Sequence, residues 1–293
     1  MATFHQWVEG ARPRTLPAAI APVIVGTGSS YAIGTANLGY GVLALLVAVG
    51  LQIGVNYAND YSDGVRGTDR NRVGPARLVG GKLATPGNVK LAAFGCFGFA
   101  ALCGLALIAM SEAWFMLLVG AAAIWAAWHY TGGSRPYGYS GWGEVFVFIF
   151  FGLVATLATT WTQSHALDWA SLAGAVGVGA VSCALLVANN LRDIDGDAAS
   201  GKRTLAVRLG DARSRQLYAA LLVVALLAVI GSALVHWTAV FGIMALPFAW
   251  VPYRLVRGGA TGMRLVPVLA ATGQFLLGYG FLLGIGLYLA SRF

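Results

Sequence analysis

The amino-acid sequence predicts an all-α protein that crosses a membrane many times. Of its 293 residues, 58% are hydrophobic and only 10% are charged, and the mean hydropathy is +0.73. A soluble domain carries about a quarter charged residues, so this composition argues against an ordinary soluble protein. Apolar runs recur along the whole chain, and each is roughly long enough to cross a bilayer as a helix. We therefore predict a polytopic membrane protein with one integral-membrane domain over residues 1–293.

Nine apolar segments are predicted to be transmembrane helices. They cover residues 15–35, 38–58, 90–111, 113–131, 141–161, 170–191, 215–235, 237–253 and 270–291. The eighth has the weakest pattern, because Pro247 and Pro252 lie in or near its end. The N-terminus opens with polar residues and lacks the short apolar core and cleavage site of a signal peptide.

The basic residues fall on one side of this arrangement. The formal net charge is +8, and with the N-terminus inside, every Lys and Arg except Arg292 lies on the inner side. The positive-inside rule therefore predicts a cytoplasmic N-terminus and an odd number of spans. Nucleic-acid binding is not expected, because the basic residues lie in short loops between spans and not on one soluble face.

Two clusters of Asn and Asp end predicted helices that lie four helices apart. The first is NYANDYSDGVRGTD at 56–69, and the second is NNLRDIDGD at 189–197. Helical spacing places Asn56, Asp60 and Asp63 on one face, and Asn189, Asp193 and Asp197 on another. Asp195 is expected to point elsewhere. Each cluster leads into a long basic segment, over 56–89 and 189–214, which we expect to be an ordered functional loop.

The two clusters predict a site for a metal and an anion. Two carboxylates 4 Å apart repel by about 4 kcal/mol at an effective dielectric near 20, so a cation must lie between them or they must titrate. Carboxylate and amide oxygens suit Mg²⁺, which is commonly shared with substrate phosphates. The basic residues that follow the clusters could then bind a diphosphate. Alternatively, these charges only pair with each other as solvated helix caps, but two matched clusters favour function.

Five blocks of sequence resemble a known family. They are ARPRTLPAAIAPVIVG at 11–26, NYANDYSDGVRGTD at 56–69, GPARLVGG at 74–81, RPYGYSGWGEVFVFIFFG at 135–152 and NNLRDIDGDAASGKRTLAVRLG at 189–210. In this order they resemble the UbiA superfamily of intramembrane prenyltransferases. Within it they look most like the branch that prenylates 1,4-dihydroxy-2-naphthoate in menaquinone synthesis. The gap between Asp60 and Asp63 is shorter than the superfamily pattern, which leaves Asp63 and Asp69 as alternative ligands.

The resemblance implies a fold, a reaction and a location. The fold would be a UbiA-type bundle of nine transmembrane helices in the bacterial cytoplasmic membrane, with its active site facing the cytoplasm. The reaction would transfer a polyprenyl group from polyprenyl diphosphate to 1,4-dihydroxy-2-naphthoate, with loss of CO₂ and diphosphate, and would depend on Mg²⁺. The product would be a demethylmenaquinol. The oligomeric state stays open.

The resemblance also implies roles for individual residues. Metal ligands would be Asn56, Asp60, Asp63, Asp69, Asp193 and Asp197. Substrate binding would involve Asn56, Arg66, Arg77, Lys82, Tyr137, Asn189, Asn190, Lys202 and Arg203. Catalytic roles would fall to Asp60, Asp193, Tyr130, which could shield an allylic cation, and Glu144, which could orient or deprotonate the acceptor. Tyr130 and Tyr137 would equally suit an interfacial aromatic belt, and Glu144 a simple charge at a helix start.

Two alternatives remain at this point. A related enzyme could prenylate another aromatic acceptor, 4-hydroxybenzoate or homogentisate. A protein of another class, an ion-coupled transporter, would bind its ion with helices broken near the midplane of the membrane. The charges here lie at helix ends and in loops, which disfavours the transporter.

Overall fold

The computed structural model describes residues 2–68 and 77–292, and within them the regular elements are all helical, as predicted. Thirteen α-helices are numbered along the chain: α1 (Phe4–Ala11), α2 (Pro17–Ile33), α3 (Leu38–Arg66), α4 (Pro86–Ser111), α5 (Met116–His129), α6 (Gly143–Val147), α7 (Ala155–Ser164), α8 (Trp169–Arg192), α9 (Ile194–Ala199), α10 (Leu205–Leu209), α11 (Asp211–Ala233), α12 (Leu246–Arg257) and α13 (Val266–Ala290). The π-helical segment Phe148–Val154 joins α6 to α7, and 3₁₀ turns precede α12 and α13.

Seven or eight helical segments in this part of the chain are long and apolar enough to cross a membrane. The eighth counts α1 and α2 together, which pass this test as a pair bent by 50°. The predicted span 113–131 corresponds to α5, which has only 14 residues. At 1.5 Å per residue α5 is about 21 Å long, against a hydrocarbon core of about 30 Å. A polytopic membrane protein is therefore established, whereas the number nine stays a prediction.

Both acidic segments contain more helix than their predicted bounds include. The second span is predicted over 38–58, but α3 continues to Arg66, which places Asp60 and Asp63 on a helix, as their spacing predicts. Gly67, with φ 72°, ends α3 in the left-handed conformation that glycine adopts without strain. The second segment folds into the short helices α9 and α10.

Helix α8 lies at the centre of the bundle. In its most apolar stretch of 18 residues, 72% are buried inside the protein, whereas the corresponding share is 28% in both α3 and α11. Gly, Ala and Ser dominate its sequence, and such small residues allow membrane helices to approach closely. A β-carbon on Gly152 of the π-helical segment would lie 2.5 Å from the Cα of Gly179 on α8. Because α8 is held so closely, the polar residues at its end occupy fixed positions.

Candidate functional site

A cavity of about 1380 Å³ runs through the helical bundle. Along α3 it is lined from Ala44 to Asp63, which is about 28 Å at the helical rise of 1.5 Å per residue. One end is charged and is lined by both acidic clusters. Toward the other end the walls are mainly apolar and include Val47, Leu107 and Val119. The cavity can therefore hold a long molecule with a charged head and an apolar tail.

Asp60 ties the chain that follows the first cluster back onto α3. Its two carboxylate oxygens accept hydrogen bonds from the backbone N–H groups of Leu78 at 2.8 Å and Val79 at 2.9 Å. Asp60 is 1% exposed, so these bonds replace water that the carboxylate has lost. Asp60 lines the cavity, and its bonds to Leu78 and Val79 anchor the chain directly after Arg77.

Asp63 collects cationic and hydroxyl groups from three other segments. It accepts hydrogen bonds from Arg77 Nη2 at 3.3 Å, from Lys202 Nζ at 3.1 Å and from the hydroxyl of Tyr139. Lys202 follows the second cluster, so this ion pair joins the two acidic segments directly. The Lys202 ammonium also lies 4.6 Å from the centre of the Tyr139 ring. Arg77 and Lys202 thus supply part of the positive charge that offsets the repulsion between the carboxylates.

The second cluster crosses a helix junction. Asn189 lies in the last turn of α8, Asp193 separates α8 from α9, and Asp197 lies on α9; all three line the cavity. Arg192 donates to both oxygens of Asp193, at 2.7 and 2.6 Å, in a bidentate pair. Asp195 is exposed, as expected of a group off the shared face, although the residue also borders the cavity. Because α8 ends at Arg192, the spacing of Asn189, Asp193 and Asp197 is not that of one continuous helix.

Of the asparagine amides that line the cavity, Asn56 and Asn190 share one orientation and Asn189 has another. Asn56 donates through Nδ2 to Ala11 O at 2.8 Å and to Thr15 Oγ1 at 2.9 Å. Asn190 donates through Nδ2 to Glu144 Oε1 at 3.0 Å. In both, the carbonyl oxygen is left as the atom that can meet a cation or a donor. Asn189 differs, because its oxygen accepts a hydrogen bond from Arg192 at 3.0 Å.

The donor set fits a Mg²⁺ ion that is shared with a substrate. Carboxylate and amide oxygens line one end of the cavity, and hard cations prefer such ligands. Among the described residues, however, no group of three or more His, Cys, Asp or Glu side chains is close enough to hold an ion by itself. Mg²⁺ usually takes one or two carboxylates and completes its shell with water and phosphate oxygens. The residues thus fit a metal bridged by a diphosphate and not a closed protein cage.

Some predicted site residues lie elsewhere. Arg66 does not line the cavity; it donates to the backbone oxygens of Thr131 and Gly133 and stabilises the end of α3. Lys82 and Arg203 are exposed and lie outside the cavity lining. Glu144 is buried behind Asn190 and does not line the cavity. Asp69, the alternative to Asp63, lies outside the described residues.

Aromatic side chains surround the cavity beside the charged groups. Tyr130, Tyr137 and Tyr139 all line it, and Tyr137 stacks on Phe146 with ring centres 3.9 Å apart. Tyr137 donates to the backbone oxygen of Ala126 at 2.8 Å, so its hydroxyl is already used. Burial, and next the charge of Asp63, raise the pKa of Tyr139 above its usual range. Its phenol therefore stays protonated and remains a donor to Asp63.

The sequence predicts no role for Tyr139 or for the bidentate pair that Arg192 forms. Tyr139 stands two residues after Tyr137 in a block of Tyr, Gly and Pro, which was a signal of an ordered aromatic loop. Arg192 was counted only as a topology charge, although it directly precedes Asp193. Only the folded geometry shows that both residues contact predicted metal ligands.

The sequence matches known proteins over most of its length. The model of the UbiA prenyltransferase family matches residues 19–262. The chain is 55% identical over 277 residues to 1,4-dihydroxy-2-naphthoate octaprenyltransferase of Mycobacterium tuberculosis, covering 94% of each chain. It is 37% identical to the protein of the same name from Escherichia coli, over 95% of this chain and 94% of that one.

Solved structures share the fold at low sequence identity. A UbiA homolog from Aeropyrum pernix K1 has a TM-score of 0.71 at 14% identity and covers 92% of this chain and 96% of its own. A UbiA homolog from Archaeoglobus fulgidus, bound to GPP and Mg²⁺, has a TM-score of 0.66 at 15% identity and covers 95% and 99%. The solved structures support the helical architecture, and the family match covers most of the sequence. This chain therefore belongs to the UbiA prenyltransferase family.

Proposed function

We propose that this prenyltransferase moves a polyprenyl group from polyprenyl diphosphate to 1,4-dihydroxy-2-naphthoate, with loss of CO₂ and diphosphate, in menaquinone biosynthesis. The observation that carries the proposal is 55% identity, over 94% of both chains, to a relative of that name. The cavity supports it independently, because a charged end with an apolar extension matches a diphosphate head and a prenyl tail.

The diphosphate would bind where the two clusters meet. Lys202 and Arg77 already lie at the charged end of the cavity, where they pair with Asp63. An arriving diphosphate would compete for their charge, and they would then stabilise the negative charge that grows on the leaving group. Such stabilisation of a developing anion is usually the largest single contribution to catalysis. Arg66, Lys82 and Arg203 receive no role in this proposal.

Mg²⁺ would be held by oxygens of the two clusters together with the diphosphate. The residues that would hold it are Asn56, Asp60, Asp63, Asp193 and Asp197, with Asn190 in a supporting role, and Asp69 stays a candidate. When bound, the ion neutralises the diphosphate and acts as a Lewis acid. The UbiA homolog from Archaeoglobus fulgidus was solved with GPP and Mg²⁺, which supports the same cofactor here.

The chemical step would replace the ring bond to the carboxylate carbon with a ring bond to the prenyl carbon. The allylic C–O bond of the donor breaks, and its electron pair leaves with diphosphate. The ring carbon that bears the carboxylate forms a bond to the prenyl carbon, and the electrons of the departing CO₂ group return to the ring. Tyr130 and Tyr137 line this part of the cavity and would cover the allylic cation with their rings. A water-poor site would also protect that cation from hydrolysis.

We further propose the membrane arrangement. The chain would form one domain with nine spans, and α5 together with its flanking turns would supply the span that is short as a helix. The charged end of the cavity would face the cytoplasm of a bacterium, which the distribution of Lys and Arg supports.

The acceptor decides between this function and its alternatives. Purified protein would be incubated with Mg²⁺ and a polyprenyl diphosphate, and with 1,4-dihydroxy-2-naphthoate, 4-hydroxybenzoate or homogentisate in parallel. We expect prenylated product and CO₂ from the naphthoate alone, and no product after EDTA treatment. A preference for either other acceptor would replace the proposed substrate. No prenylated product, together with ion-dependent uptake into liposomes, would favour the transporter.

A further inference from the structure

The carboxylate of Glu144 lies directly behind an amide that faces the cavity. Asn190 Nδ2 donates to Glu144 Oε1 at 3.0 Å, and each of the two residues is only 7% exposed. Asn190 lines the cavity, whereas Glu144 does not. Glu144 therefore reaches the site through Asn190, which differs from the direct contact with the acceptor that the sequence suggested.

The backbone that carries Glu144 is held closely against the centre of the bundle. Cys183 Sγ on α8 donates to the backbone oxygen of Glu144 at 3.1 Å. A β-carbon on the preceding residue, Gly143, would lie 3.3 Å from Leu186 of α8 and 3.4 Å from the ring of Tyr130. Glu144 thus has little freedom to move away from Asn190.

The first cluster contains a matching arrangement. Asn56 donates both hydrogens of its amide nitrogen to fixed acceptors, Ala11 O and Thr15 Oγ1. In each cluster, one amide is therefore anchored through its nitrogen. Within the described residues, neither the Asn56 nor the Asn190 carbonyl oxygen accepts a hydrogen bond. At the charged end of the cavity, both amides therefore leave the side-chain oxygen available to a ligand.

We infer that Glu144 is a positioning residue that fixes the Asn190 amide so that its oxygen faces the bound Mg²⁺–diphosphate. Asn190 Nδ2 is the atom that meets Glu144 Oε1, and a flipped amide would instead place the Asn190 oxygen against a carboxyl oxygen. This contact, made from a backbone that Cys183 of α8 holds in place, selects one orientation of the amide. The inference rests on the proposed function in one respect, namely that a prenyl diphosphate with Mg²⁺ occupies this end of the cavity.

Isosteric exchanges test the inference without leaving a void. Asn190→Asp places a second carboxylate against Glu144, and we expect it to weaken binding of the metal–diphosphate pair by about 10–100-fold, as is usual when the support of a ligand is lost. Glu144→Gln can still accept from Asn190 and should cost at most about 3-fold. In the double variant E144Q/N190D, the introduced amide can donate to the introduced carboxylate, which restores the hydrogen bond with reversed polarity. We expect the double variant to bind at least about 5-fold more tightly than N190D, because partners in one contact do not behave additively.

The readout is binding and needs no aromatic acceptor. A non-reactive prenyl thiodiphosphate is titrated with Mg²⁺ onto the detergent-solubilised protein, and the ligand-dependent rise in Tm gives the affinity. A purely structural role of Glu144 would lower the ligand-free Tm without changing that affinity. Cys183→Ser is the matched control, since it keeps a donor for the Glu144 backbone oxygen and leaves the carboxyl group unchanged; its affinity should match the wild type.

The inference is overturned if E144Q weakens binding equally in the wild-type and N190D backgrounds, or if N190D binds as tightly as the wild type. If N190D does not fold, Asn190→Ala replaces it, and E144Q should then have no further effect on binding; an equal loss in both backgrounds would contradict the inference. Failure of the naphthoate assay with an intact binding cycle would refute the proposed acceptor alone. Failure of the wild type to bind the thiodiphosphate would refute both.

Discussion

Asp63 is the residue on which the two acidic segments converge. Asp63 is 4% exposed, and its carboxylate contacts Tyr139, Arg77 and Lys202. A buried carboxylate is stable only when it is paired and hydrogen-bonded, so these contacts offset the burial of Asp63 at the head of the cavity. The same two cations are those that a diphosphate would attract. Asp63 therefore both holds them in place before the substrate arrives and limits how far they can move.

Lys202→Met tests this role at the scale of one residue. Removing one partner of a buried ion pair typically costs about 3–5 kcal/mol, and here it also removes a cation for the diphosphate. We expect kcat/KM for prenyl transfer to fall by at least about 100-fold, since about 1.4 kcal/mol corresponds to tenfold. The measurement is steady-state turnover at saturating Mg²⁺.

Lys82→Met is the matched control for that variant. Lys82 has the same side chain, but it is exposed and lies outside the cavity lining. Turnover should stay within about 2-fold of the wild type, as for most surface substitutions. A large loss in Lys82→Met would show that the connection near residue 82 moves into the site, and comparable activity in both variants would contradict the role of Lys202.

Close helix packing decides stability at the scale of elements. Gly28 on α2 meets Gly284 on α13 so closely that a β-carbon on Gly28 would lie 2.4 Å from the Gly284 carbonyl oxygen. In Gly28→Ala, overpacking should cost about 1–3 kcal/mol and lower the apparent Tm in detergent by at least about 3 °C. Gly95→Ala on α4 is the control. Nothing lies within 4 Å of a β-carbon there, so its Tm should not fall.

One face of α5 lines the apolar part of the cavity, where the prenyl tail would lie. Gly120 lies on that face, and a β-carbon there would meet nothing within 4 Å. If the tail follows the apolar part of the cavity, Gly120→Leu should narrow its path and reduce turnover of long donors at least about 10-fold more than that of short ones. The measurement compares kcat/KM for an octaprenyl and a geranyl donor.

Gly98→Leu on α4 controls for a bulky side chain on a membrane helix. Gly98 also has nothing within 4 Å of a β-carbon, but it does not line the cavity. Its preference for donor length should equal that of the wild type. A loss in Gly120→Leu that is the same for both donors would argue against a tail path along α5.

At the scale of the whole molecule, the proposed orientation places the charged end of the cavity in the cytoplasm. After replacement of Cys96, Cys103 and Cys183, single cysteines would be introduced at Lys82 and at Leu167, which are both exposed. A membrane-impermeant maleimide should label position 82 only in inside-out vesicles and position 167 only in right-side-out vesicles. The opposite pattern would reverse the topology that the basic residues predict.

Much of the site could be predicted because it depends on local periodicity. The spacing of Asn56, Asp60 and Asp63 places them on one helical face whatever surrounds them, and all three line the cavity. The side-chain directions in the second cluster could not be predicted in this way. Helix α8 ends before Asp193, so helical spacing does not apply beyond it. Three basic residues that follow the clusters could not be ranked from the sequence, namely Lys82, Lys202 and Arg203. Of these three, Lys202 is the one that contacts Asp63.

The sequence by itself determined the class of the protein, its apolar segments and the two acidic clusters, since composition and periodicity depend on neighbouring residues alone. Its sequence blocks also indicated the family. The tertiary structure decided which charges meet: Lys202 crosses to Asp63, 139 positions away, and Glu144 stands behind Asn190 and not in the cavity. Such pairings depend on how α3, α6 and α8 pack against each other, and no local pattern in the chain encodes that distance.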